Sequence, residues 1–102
     1  MTMTKLKEYK NEILKIAFLH GAKNIKVFGS VARGEQNQNS DVDFVVEMSK
    51  GKTVLNRIAL MQDLKKLLGQ DVDVVTYKSL KERVRNSLIK DAVELWEKKL
   101  TG

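Results

Sequence analysis

The chain has 102 residues, 42% of them hydrophobic and none of them cysteine. That suffices for one core of ordinary size and excludes disulfides and thiolate metal sites. No apolar run approaches the roughly 20 residues of a membrane-spanning helix and the N-terminus has no signal-peptide core, so the expected location is the cytoplasm.

Leu6, Tyr9, Ile13, Ile16, Ala17 and His20 recur at helical spacing, which predicts a helix after a Thr4 N-cap, stopped by Gly21. A short strand is expected over 25–28 and a second, with dense hydrophobics, over 41–47. Gly51 marks a turn. Val54, Ile58, Met61, Leu64, Leu67 and Leu68 then define an amphipathic helix ending at Gly69. A third strand is expected over 71–76. Ser79 and Glu82 have capping-box spacing and open a basic helix to about Lys90, while "DAVELWEKKL" fits either its continuation or a short edge strand. With no repeat, no low-complexity tract and no proline linker, residues 1–102 read as one α/β domain. Its expected core is a small mixed sheet of three to four strands flanked by helices.

Charge is unevenly spread along this order. The net charge is +6, yet residues 34–76 carry seven acids against five Lys/Arg, whereas residues 1–33 carry two acids against seven. A basic body favours an anionic partner. No basic cluster interleaves with aromatics, so direct nucleic-acid binding is not expected.

Four of the central acids fall in the strand segments. Residues two apart on a strand share a face, so Asp41 and Asp43 point the same way, as do Asp71 and Asp73. If the two strands are neighbours, their carboxylates converge, and like charges so close repel unless a cation sits among them. Hard oxygen ligands without His or Cys suit Mg²⁺ or Mn²⁺, and two such ions can hold a nucleotide's phosphates and activate an attacking hydroxyl. Gly29 and Ser30, directly after the first strand, let the backbone approach a phosphate and offer a hydroxyl and an N–H at the start of a helical turn over 31–33.

The pattern "GS", ten residues, then "DVD", with Asp73 in "DVDVV" as a third carboxylate, resembles the nucleotidyltransferase fold of the DNA polymerase β superfamily. More narrowly, "GSVARGEQNQNSDVDFVV" resembles the minimal nucleotidyltransferases (MNT), the antitoxin partners of HEPN-domain toxins. The resemblance implies that Asp41, Asp43 and Asp73 are the catalytic, metal-binding residues for two Mg²⁺ ions, with Asp73 assisting deprotonation. It implies also that Gly29 and Ser30 grip the triphosphate of ATP.

Around this motif, Arg33 is assigned to phosphate or partner contact or, equally, to capping the local turn, and Ser40 to orienting the loop or a carboxylate. Asp71, a pleat further off, is read as a strand-start residue or a support behind the metal ligands, with direct metal contact as the lesser alternative; His20 is read as structural and "QNQN" at 36–39 as a flexible site loop. Only about 25 residues follow Tyr77, so the acceptor is expected to arrive on a partner protein. The expected function is transfer of AMP from ATP to a hydroxyl, a tyrosine in the first instance, of a HEPN toxin. Two alternatives stand beside it: a nucleotidyltransferase acting on a small molecule, and a non-catalytic antitoxin that neutralises by binding alone. The surplus of apolar residues over 79–100 points to a homo- or hetero-oligomer contact there, with Trp96 as its anchor or as a core residue.

Overall fold

A computed structural model describes residues 2–34, 41–80, 86 and 92–94. The order of elements is α1 (Met3–Lys7), α2 (Lys10–Leu19), β1 (Ala22–Phe28), α3 (Gly29–Arg33), β2 (Val42–Met48), α4 (Val54–Leu68), β3 (Val72–Thr76), a 3₁₀ turn (Tyr77–Ser79) and β4 (Val93–Glu94). The strands form one mixed sheet in the order β3-β2-β1-β4, with β2 and β3 parallel and the other pairs antiparallel. This is the α/β architecture expected, with the last segment taking the edge-strand alternative.

The parallel pair follows from the helix between its strands. Fifteen helical residues carry the chain back along the sheet, as a parallel crossover requires. Thr53 N–H donates to Asn56 Oδ1 at 2.9 Å at the start of α4, and Gly69 ends it at φ 69°, so both helix ends are set by local sequence. Alternate strand residues bury one face: Ile25 and Val27 of β1, Val42, Phe44 and Val46 of β2, and Val72 and Val74 of β3. Leu6, Ile13 and Ala17, with Leu60, Leu64 and Leu68 of α4, complete that core. The helices therefore cover one face, and residues of the opposite register, Asp43 and Asp73 among them, belong to the other.

Three local expectations are corrected. The single N-terminal helix is two helices, and its cap is Thr2, whose Oγ1 accepts from Lys5 N–H at 3.1 Å, rather than Thr4. Glu8 and Tyr9 donate three residues back instead of four, so the backbone tightens and restarts at Lys10 while Leu6 and Ile13 both stay buried. The first strand begins at Ala22, earlier than expected, because a register shift between Lys23 and Lys26 absorbs Asn24 at φ 52°. Ser79 closes a 3₁₀ turn, its hydroxyl donating to Thr76 O at 2.8 Å and its N–H to Thr76 Oγ1 at 3.2 Å. Of the helix expected beyond it, residue 86 is described and is helical; Trp96, Ser40 and the "QNQN" loop lie outside the described residues.

Candidate active site

The site assembles where β1 ends and β2 and β3 begin. Phe28 is paired with Asp43 across the antiparallel ladder, and Asp43 with Asp73 across the parallel one. Neighbouring strands lie about 4.8 Å apart, so the two carboxylates rise side by side from one face. Asp41, exposed just before β2, adds a third charge close enough to act on Asp43.

The glycine after β1 fits against this row. Gly29 has φ +75°, and a Cβ placed on it would stand 2.5 Å from Asp43 Oδ2. The backbone therefore turns into α3 directly against a carboxylate, in a space no larger residue can share. Ser30 follows within the same short helix, which Gly34 closes at φ 72°. Its buried residue, Val31, ties the turn to the core.

The electrostatics record this crowding. The Asp43 carboxyl is pushed up to about 6, first by burial, then by the charges of Asp73 and Asp41, while Arg33 pulls the other way. Three carboxylates offering hard oxygen donors, one of them raised by burial and by its neighbours' charges, fit a divalent cation. Among the described residues, no three such side chains are drawn tightly enough together to form a closed cage.

Asp71 goes elsewhere. Its Oδ1 pairs with Lys65 Nζ at 3.1 Å, at the exposed end of α4, in keeping with a strand-start role. His20 is likewise structural, its Nε2 lying 2.6 Å from Asp63 Oδ2 and joining α2 to α4. The sequence reading missed Phe28, which is half-buried and, as the cross-strand partner of Asp43, shares its face of the sheet. The position immediately before the glycine of the motif was the available signal.

The class follows from this arrangement together with the comparisons. A model of the family described as polymerase beta, nucleotidyltransferase, matches residues 5–101. A Methanocaldococcus jannaschii protein, named as an inferred protein adenylyltransferase, is 38% identical over 88% of this chain and 97% of its own. Among solved structures, an inferred minimal nucleotidyltransferase superposes with a TM-score of 0.83 at 36% identity, covering 91% of this chain and 95% of that one. A chain of a toxin-antitoxin complex crystallised with AMP-PNP superposes at 0.73 and 28% identity, over 88% of this chain and 74% of that one. The chain belongs to the polymerase β nucleotidyltransferase family, and the minimal nucleotidyltransferases are the members it is similar to.

Proposed function

We propose that this chain is a protein adenylyltransferase that moves AMP from ATP onto a hydroxyl, a tyrosine in the first instance, of a HEPN toxin, and so acts as its antitoxin in the cytoplasm. The observation that carries the reading is the row Gly29–Asp43–Asp73, in which a close-approach glycine and two carboxylates from neighbouring strands face one small volume. The kinship with a named protein adenylyltransferase, and with a chain solved in a toxin-antitoxin complex with an ATP analogue, supports the substrate class.

Each residue then has a part. The Gly29 backbone and Ser30 receive the triphosphate, and Arg33 adds positive charge beside it. Asp41, Asp43 and Asp73 would hold Mg²⁺, two ions by the resemblance, with Ser40 steadying the loop before them. Bound metal supplies charge neutralisation at the phosphates and lowers the pKa of the attacking hydroxyl. The acceptor oxygen forms a bond to the α-phosphorus, the bond from that phosphorus to the α–β bridging oxygen breaks, and pyrophosphate leaves. The acceptor's proton passes to a carboxylate. Asp73 is exposed where Asp43 is half-buried, so Asp73 is the one open to an acceptor.

The test is transfer of label from α-labelled ATP, with Mg²⁺, to the toxin encoded beside this chain's gene. The wild type should label it and Asp41→Asn/Asp43→Asn should not. Equal labelling by the double variant would sink the mechanism.

A further inference from the structure

Two features at the far end of the sheet take no part in the transfer. Phe18, Leu19, Val54 and Leu55 are the exposed large hydrophobics of the described residues, at 81, 68, 60 and 75% exposure. They come from two elements held together: Ser49 N–H donates to Gly21 O at 2.7 Å, and the methylene chain of Lys52 lies against Gly21. The end of α2 and the start of α4 thus present their apolar side chains at one end of the molecule.

Beside them a groove of about 1010 Å³ runs between the β2–α4 turn and the exit of β3, and Val54 belongs to both. Apolar Val46, Met48 and Val75 line it together with Lys50, Lys52 and Lys78. Among the described residues, none of these three lysines forms a salt bridge, although Lys78 stands near enough to Glu47 to help hold its carboxyl below the usual range. Glu47, the carboxylate in this lining, is already held by Asn24 at 2.9 Å and Lys23 at 3.3 Å. The groove is also braced: Arg57 Nη1 donates to Val74 O at 2.7 Å, and Tyr77 OH to Asn24 O at 2.9 Å.

We propose that this end is a docking surface for an acidic segment of the partner protein that carries apolar side chains of its own. That the partner is the AMP acceptor rests on the function proposed above. Charge complementarity chooses the occupant. A second copy would press the same lysines against one another, and a nucleic-acid backbone would leave four large apolar side chains uncovered. Five residues of β2, roughly 16 Å, separate Asp43 from Met48, and the apolar patch lies at the Met48 end, so binding there can be tested apart from transfer.

The experiment measures affinity for the full-length toxin, without ATP and in the Asp41→Asn/Asp43→Asn background, so that binding is read apart from transfer. Two variants are compared with that parent: Lys50→Glu/Lys52→Glu/Lys78→Glu, and Phe18→Ser/Leu55→Ser. Each should weaken toxin binding by about tenfold or more, and the charge variant should also flatten its salt dependence. Should the charge variant not fold, the serine pair decides alone. Unchanged toxin affinity in both variants overturns the proposal. So does loss of a homodimer in sedimentation with toxin affinity intact, which would make the patch a contact between copies. Loss of single-stranded RNA binding with toxin affinity intact overturns it as well. Weakened toxin binding in these variants, with no labelling of the toxin by wild type, would remove AMP transfer and leave the docking surface standing.

Discussion

Gly29 and Asp43 occupy one another's space: the glycine's missing Cβ would stand 2.5 Å from the carboxylate oxygen and 3.3 Å from its carbon. Backbone and carboxylate therefore approach closely enough to serve the phosphate and metal contacts proposed for them. Gly29→Ala meets two obstacles at once, a left-handed φ of +75° and that collision. It should cost on the order of 1–3 kcal/mol. By displacing Asp43 it should also slow AMP transfer by about a hundredfold or more. Urea melts and single-turnover labelling check both, and an alanine variant with wild-type rate would refute the close-approach role.

The crowding of Asp43 makes activity costly to stability. Its carboxyl titrates at about 6 in the fold against an ordinary 3.8, so the folded chain binds the proton more tightly than the unfolded one. The associated stability is fully present below about 3.8 and is lost as pH rises through about 6. Without metal, Asp43→Asn should therefore be more stable than wild type at pH 7.5, by on the order of 1 kcal/mol after discounting for solvent screening. That is roughly 4 °C or more in melting temperature, and the gap should close toward pH 4. Added Mg²⁺ should raise the melting temperature of the wild type and leave the variant's nearly unmoved. Calorimetry across pH, with and without Mg²⁺, decides it.

Asp71 separates a carboxylate near the motif from one within it. Its partner is Lys65 at 3.1 Å, and both side chains are largely exposed. Asp71→Asn should change stability by less than about 1 kcal/mol and leave transfer at the wild-type rate. Asp73→Asn, two residues on, should lower transfer by about a hundredfold or more. A large loss in Asp71→Asn would place that residue in the site after all.

The core should respond by volume rather than by chemistry. Leu64 is fully buried where α4 meets the sheet, and Leu64→Ala should cost about 2–5 kcal/mol. Transfer measured well below the melting temperature should survive in proportion to the folded fraction. A variant that is fully folded yet inactive would show that α4 does more than support β2 and β3.

Much of the site was legible along the chain because it depends on short spacings. The strands that carry Asp43 and Asp73 were read from the apolar runs around them, and the helix of residues 54–68 was read to its last residue because Gly69 ends it locally. The N-terminal break at Glu8–Tyr9 was not legible, since neither glycine nor proline announces it. The bulge at Asn24 was also hidden, because it answers to Glu47 and Tyr77, which are remote in sequence.

By itself, then, the sequence determined which local elements form and where the candidate residues fall along them, because caps, turns and side-chain periodicity act within a few residues. Only the tertiary structure decided that Asp43 stands between Gly29 and Asp73, that Asp71 turns to Lys65, and that α2 and α4 leave four apolar side chains beside a groove lined by three lysines. Apart from the Asp71–Lys65 pair, which is six residues apart, those relationships are set by strand register and helix packing across separations of 14 residues and more, where side-chain volumes and burial choose the partner and local propensity has no reach.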